Sequence, residues 1–256
     1  MIETAKNIFF RIWYWYISTV DKKAQVTFMN YGYSSSHIDL ELEEHDEKDR
    51  YSMQLYNYVA TGIDIKGKDI LEVGCGRGGG ISFIKRYLEP KNATGIDLNK
   101  KAIDFCKKQY SEHCIDFYQG NAQELVFKEN TFDVVINVES SHRYPQMNKF
   151  LDEVFRVLKP GGYLLFTDFR HEKDVEKLNM QFKNSGFEII KEELITPNVL
   201  EALKLSSVER EKLIQSLAPK FLHGLGKKFA ATEGTPTYNK FSENKFEYLS
   251  HILVKK

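Results

Sequence analysis

The chain has 256 residues, of which 42% are hydrophobic and 28% charged, and thirty-six Lys and Arg balance thirty-six Asp and Glu. A chain of this size buries about three quarters of its unfolded surface and folds without staples, and aromatics at 13% with only six prolines argue against disorder. Zero formal net charge argues against a general nucleic-acid binder, which needs a basic surplus to neutralise phosphates.

The N-terminus carries an apolar run, Ile8-Phe9-Phe10-Arg11-Ile12-Trp13-Tyr14-Trp15-Tyr16-Ile17. It is too short for a transmembrane helix and has Arg11 inside it. It also lacks a basic n-region and a small-residue cleavage site, so no secretory signal is expected. It reads as a helix packing its aromatics on the body of the protein. The other reading is a lid, or an interfacial anchor giving peripheral membrane contact. Residues 1–50 are thus expected to form an N-terminal helical segment. Asp39 to Arg50 is strongly acidic and reads as a solvated face leading into a helix. Leu55, Tyr56 and Val59 recur at helical spacing from Tyr51 to Thr61, and Gly62 can end that helix.

After Gly67 the rhythm changes. Asp69-Ile70-Leu71-Glu72-Val73 reads as a buried strand, followed by Gly74-Cys75-Gly76-Arg77-Gly78-Gly79-Gly80 and a helical stripe of Ile81, Ile84, Tyr87 and Leu88. Further strands are expected at Ala93–Asp97, Ile115–Tyr118, Phe132–Asn137 and Tyr163–Phe166, the last reaching Asp168. Helices are expected at Ala102–Tyr110 and Asn148–Leu158, and Lys159-Pro160-Gly161-Gly162 reads as a turn. Strands alternating with helices imply right-handed crossovers and an α/β, doubly wound, mostly parallel sheet. A helix at Lys173–Asn184 and strands at Phe187–Leu194 and Phe246–Val254 bring the sheet to seven strands. Residues 51–194 are taken as the core and 244–256 as its last strand. Residues 195–243 form an insertion, helical from Ser207 through Leu217 and then glycine-containing loops, placed to cap an acceptor.

Three cysteines, Cys75, Cys106 and Cys114, form no disulfide framework, which fits a reducing, cytoplasmic setting. No His/Cys/Asp cluster has metal-ligand spacing, so metal-independent chemistry is expected.

A glycine loop between strand and helix lets backbone approach a ligand and aims helix N–H groups at it. Asp97 follows Gly76 by twenty-one residues (76 to 97), at the end of the second strand, where an acid accepts ribose hydroxyls. Loop and acid together indicate an adenosine-containing ligand without separating a dinucleotide from S-adenosylmethionine. Three features select the latter: Glu72 inside the strand before the loop, Gly120-Asn121-Ala122-Gln123-Glu124-Leu125 after the third strand, and Phe155-Arg156-Val157-Leu158-Lys159-Pro160-Gly161-Gly162 before the fifth.

Together these motifs resemble the class I S-adenosylmethionine-dependent methyltransferases, without a gap from Tyr51 to Asp168. Phe28-Met29-Asn30-Tyr31-Gly32-Tyr33, Gly78-Gly79-Gly80 and Asn137-Val138-Glu139-Ser140-Ser141-His142-Arg143-Tyr144-Pro145 are similar to the phthiotriolone/phenolphthiotriolone dimycocerosate methyltransferases, and to natural-product O-methyltransferases. The resemblance implies a Rossmann-like methyltransferase sheet, S-adenosylmethionine as cofactor and S-adenosylhomocysteine as product. It puts Gly74, Gly76 and Gly78 around the methionine part, Asp97 at the ribose, Asn121 and Ala122 at adenine, and counts Glu72 and Leu98 among the cofactor-binding residues. It also implies an ammonium-facing carbonyl on Asn137 and a closing role for Tyr31, for which packing is an equal reading. Many relatives have Asp where this chain has Asn121; both accept a hydrogen bond from an amino group.

His142, just past the fourth strand, is the candidate catalytic base, since histidine titrates near neutrality. Asp168, ending the fifth strand, is its candidate partner, as in similar sugar O-methyltransferases. The alternatives are a pocket-shaping loop histidine and a helix N-cap before Glu172. Glu139 either orients substrate or caps a turn, and His223 and Tyr238 lie in the insertion without a spacing argument. The expected activity is transfer of a methyl group to a hydroxyl of a hydrophobic small molecule. A C- or N-methyltransferase on the same fold and a non-catalytic S-adenosylmethionine-binding protein stay open. A nicotinamide oxidoreductase is disfavoured because the second half of a dinucleotide fold is missing. Partners are expected to be a small apolar acceptor and no nucleic acid, with a homodimer left open.

Overall fold

The computed structural model describes residues 16–17, 19–21 and 23–256. The aromatic run from Ile8 lies outside the described residues apart from Tyr16 and Ile17. Ile17 is buried against Ala218, and the Tyr16 hydroxyl donates to the Leu217 carbonyl.

The strands are β1 (Asp69–Val73), β2 (Asn92–Asp97), β3 (Ile115–Gln119), β4 (Phe132–Val138), β5 (Leu158–His171), β6 (Glu188–Leu194) and β7 (Phe246–Val254). Helices are α1 (Arg50–Ala60), α2 (Gly79–Tyr87), α3 (Lys100–Gln109), α4 (Met147–Val157), α5 (Glu172–Lys183), α6 (Thr196–Leu217), α7 (His223–Phe229) and α8 (Pro236–Ser242). They build one seven-stranded sheet in the order β3-β2-β1-β4-β5-β7-β6. All pairs are parallel except those of β7, which runs antiparallel to both neighbours.

Alternation along the strands divides the core into two layers. Ile70, Val134 and Ile136 face the layer that holds Leu55, Val59, Ile81 and Ile84 of α1 and α2. Leu71, Val73 and Val135 face Phe150, Leu151, Val154, Leu178 and Phe182 of α4 and α5. β4 is covered on both sides, which explains its near-continuous apolar run. Strand order reverses between β1 and β4, and the ends of β1, β2 and β4 open there into a common crevice.

Three expectations are corrected. The Lys159–Gly162 turn lies inside β5: the ladder with β4 slips between Phe132↔Leu158 and Val134↔Tyr163, and Gly161 takes φ 76° in the slip. Its backbone N–H donates to the Lys255 carbonyl, so β7's end pairs with the bulge. Next, α6 starts at Thr196, well before Ser207. Pro197 occupies the first turn, where its missing N–H costs nothing. The glycine-containing stretch that follows folds into α7 and α8. Finally, the acidic segment before α1 is not wholly solvated. Asp46 is buried, accepting from Arg86 Nη1 at 2.7 Å, Arg86 Nη2 at 3.0 Å and Tyr87 Oη at 2.6 Å.

Candidate active site

β1 ends in Gly74, at φ 80°, and a Cβ there would collide with the side chain of Ser140. Only glycine lets the loop turn over the Ser140 hydroxyl. Gly76 follows at φ 53°, and its N–H donates to Asp97 Oδ2 at 2.9 Å. Asp97 Oδ1 accepts from Asn99 N at 2.8 Å. Burial pushes the Asp97 carboxyl up, and these two N–H donors oppose it. Each oxygen keeps a second lone pair for a ligand hydroxyl.

A cavity of about 780 Å³ opens over this loop. Among the expected cofactor residues, Gly74, Gly76, Asp97, Leu98, Asn121 and Ala122 line it. Leu98 is 69% exposed, an apolar surface at the cavity rim. Asn121 Oδ1 accepts from Gln123 N at 3.0 Å, which closes the turn that carries Ala122.

Four expected cofactor residues do not line this cavity, and neither do His142 and Asp168. Gly78 is the N-cap of α2 at φ 77°, and its missing Cβ makes room for Tyr110, Cys106 and Phe117. Glu72 is fully buried beneath the loop and accepts from Tyr56 Oη at 2.6 Å. Burial raises its carboxyl to about 7, against the opposing bond from Tyr56. Asn137 is also fully buried; its Nδ2 donates to the Val73 carbonyl at 2.9 Å and to Ser140 Oγ at 2.8 Å. It ties the end of β4 to that of β1 from behind the cavity wall. Tyr31 packs between Phe169 and Phe241.

The candidate catalytic pair does come together. His142 sits in a single 3-10 turn, Ser141–Arg143, after β4, and its Nδ1 lies 2.7 Å from Asp168 Oδ1. Asp168 is fully buried and lies within β5, so it is not the cap of α5, whose N-cap is His171. Its carboxylate also accepts from Ser141 Oγ at 2.6 Å, His142 N at 2.8 Å and Phe169 N at 2.8 Å, and pairs with Arg170 Nη1 at 3.1 Å. Burial alone would raise this carboxyl. The charges of His142 and Arg170 and the bonds from His142 and Ser141 outweigh it and hold the group well below the usual carboxylate range. An ionised carboxylate at Nδ1 and a donor at Nε2, where Arg143 Nε lies 3.1 Å away, define one tautomer. Nδ1 carries the proton and Nε2 the lone pair. Burial lowers the His142 pKa below its usual 6.5; Asp168 opposes this, and Arg143 and Arg170 add to it.

One residue at the site, Arg77, had no sequence signal that singled it out. Arg77, inside the glycine loop, is 1% exposed and pairs with buried Asp21 at 3.0 Å, while its Nε donates to the Val26 carbonyl at 2.6 Å. It pins the N-terminal strap to the loop. Glu139 lines the cavity at φ 46° and accepts from Tyr31 N and Tyr248 Oη, each at 2.6 Å. Burial raises its carboxyl to about 8, against those two bonds. His223 and Tyr238 line neither this cavity nor the one beside it. Among the described residues, Glu43, His45 and Asp46 bring three ligand-type atoms together, but the Asp46 carboxylate is already held by Arg86 and Tyr87.

A glycine cradle, an acid in register and a cavity at the switch point define a Rossmann-like enzyme for an adenosine-containing cofactor. The Methyltransferase domain family model matches residues 71–166. The chain is 38% identical to a fatty-acid O-methyltransferase of Mycolicibacterium smegmatis over 91% of this chain and 85% of that one. It is 35% identical to a phthiotriol/phenolphthiotriol dimycocerosates methyltransferase of Mycobacterium tuberculosis over 96% of this chain and 92% of that one. The fold matches geranyl diphosphate C-methyltransferase from Streptomyces coelicolor, with a TM-score of 0.70 at 16% identity and full coverage of both chains. The chain belongs to the S-adenosylmethionine-dependent methyltransferase family that includes these mycobacterial enzymes, and S-adenosylmethionine is its cofactor. The site fits that cofactor: Gly74 and Gly76 leave backbone open to the cavity, and Asp97 keeps free acceptor capacity there. Among the described residues no helix is long and apolar enough to cross a membrane.

Proposed function

We propose that this enzyme is an O-methyltransferase acting on a hydroxyl of a hydrophobic small molecule, such as a lipid or polyketide. His142 is its general base and Asp168 the residue that positions it. The observation that carries this reading is the 2.7 Å contact of His142 Nδ1 with Asp168, which leaves Nε2 as the basic nitrogen. The names of the mycobacterial relatives support a lipid acceptor.

Bound S-adenosylmethionine supplies a methyl group on a positively charged sulfur. Gly74, Gly76, Asp97, Asn121 and Ala122 hold and orient the cofactor, and Leu98 covers its exposed edge. The acceptor hydroxyl takes the place of Arg143 Nε at His142 Nε2 and gives up its proton there. Asp168 stabilises the imidazolium that forms. Residues 195–243 cap the acceptor, and the strap Gln25–Tyr31 closes the other side.

A second reading, a carboxylate acceptor, has one observation in its favour: Arg143 lines the cavity, one residue from the base. A carboxylate is nucleophilic without proton removal, so it needs no base. Incubation with S-adenosylmethionine and matched long-chain alcohols and acids decides between them. Methyl ethers formed by wild type and lost in His142→Ala support the first reading; methyl esters formed equally by both enzymes support the second.

A further inference from the structure

A second cavity of about 460 Å³ lies between the strap Gln25–Tyr31 and helices α6 and α7. Val26, Leu213, Leu217 and Phe229 make most of its exposed wall apolar, with Lys48, Asp49, Glu209 and Lys212 also along it. Phe28, Met29 and Asn30 line both this cavity and the cofactor cavity, so one layer of side chains divides them. The Met29 terminal methyl lies over Gly76, where a Cβ would meet it at 3.0 Å, so this wall reaches the cofactor loop itself.

The wall is held from both sides. Arg210 Nη2 donates to the Asn30 carbonyl at 3.2 Å and the Tyr31 carbonyl at 3.0 Å, and Nη1 donates to the Ala230 carbonyl at 3.2 Å. Its Nε donates to Ser206 Oγ at 2.8 Å. One guanidinium therefore ties the strap to α6 and to the end of α7. On the cofactor side Glu139 accepts from the Tyr31 amide.

We infer that the second cavity takes the hydrocarbon chain of the methyl acceptor, an unbranched alkyl chain whose oxygen-bearing end reaches over Met29 and Asn30 into the cofactor cavity. This inference rests on the proposed transfer to a hydrophobic hydroxyl acceptor and adds where its chain lies. The polar groups of the first cavity, Glu139, Ser140 and Arg143, suit the reacting end, and the apolar walls of the second suit the chain. The volume lies within the range of small-molecule sites. Methionine at the dividing wall is unbranched and adapts to a passing chain.

The test is calorimetric titration of straight-chain primary alcohols, from butanol to decanol, into the enzyme saturated with S-adenosylhomocysteine. Each added methylene should tighten binding about fourfold. In Leu213→Trp and Leu217→Trp the indole fills the cavity, and the gain should stop at a shorter chain. Affinity for S-adenosylhomocysteine should stay within about twofold in both variants, which also reports that they fold. Binding that is flat with chain length, a gain unchanged in both variants, or alcohols that displace S-adenosylhomocysteine would each overturn the inference. Methyl-ether formation is read separately, so chain binding without turnover sinks the hydroxyl reading alone, and turnover without chain dependence sinks the cavity assignment alone.

Discussion

His142 Nδ1 and Asp168 Oδ1 lie 2.7 Å apart although the residues are twenty-six positions distant in the chain, one just past β4 and the other inside β5. His142, Arg170 and Ser141 hold the carboxylate in its ionised form, and burial depresses the His142 pKa below its usual value. This is the arrangement a base needs: a lone pair at Nε2 and a fixed anion behind it.

His142→Ala should lower kcat on hydroxyl acceptors by about 10²–10⁴-fold, with cofactor affinity nearly unchanged, because it removes proton transfer and not binding. Asp168→Asn should cost less if the carboxylate only orients the ring. Full activity of His142→Ala on an alcohol would rule out the base.

The pH–rate profile carries the sign of the His142 shift. Burial depresses its pKa below 6.5, so kcat should be level at neutral pH and fall only as the pH drops below that value. Arg143 adds to the depression. Arg143→Gln should therefore move the acid limb upward, measured as kcat against pH from 5 to 8.

Asp97→Ala should weaken S-adenosylhomocysteine binding by about 1.5–3 kcal/mol, the worth of hydrogen bonds to a charged group. Calorimetry reads it directly. An unchanged affinity would remove Asp97 from the ribose site.

Glu139 makes a stability prediction. Its folded pKa of about 8 lies above the unfolded value of 4.5, so the folded state binds more protons between those values. Stability therefore falls as the pH rises from 4.5 to 8. Glu139→Gln keeps an acceptor for Tyr31 N and Tyr248 Oη without the titration. It should melt at a higher temperature than wild type at pH 8, with the gap shrinking towards pH 5.

Arg77 and Asp21 form a buried pair, 1% and 0% exposed. Asp21→Ala leaves a buried guanidinium without its anion, which costs about 3–5 kcal/mol. Denaturant unfolding should show the loss, and cofactor affinity should fall with it, because the strap and the glycine loop share Arg77. A variant as stable as wild type would mean that the carbonyl of Val26 suffices.

β1, β2 and β4 were legible in sequence because each carries a local signal: a short apolar run bounded by turn residues, with glycines or an acid at its end. The positions of Gly74 and Gly76 after β1 and of Asp97 at the end of β2 were legible for the same reason, since the loop and the acid sit at a fixed distance along one crossover. The extent of α6 was not, because burial of the stripe of Val199, Ala202 and Leu203 determines its start. The true places of Gly78 and Asn137 were also hidden, since both face other elements and not the cofactor cavity. Only tertiary structure decided which distant side chains meet. The parallel register Val138↔Thr167 carries the residues after β4 and the end of β5 to one edge of the sheet, and so brings His142 to Asp168. Packing of α6 against the strap likewise joins Arg210 to Asn30 and Tyr31 and encloses the second cavity. Periodicity acts along a single element, whereas these contacts depend on how separate elements are aligned by backbone hydrogen bonds and core packing.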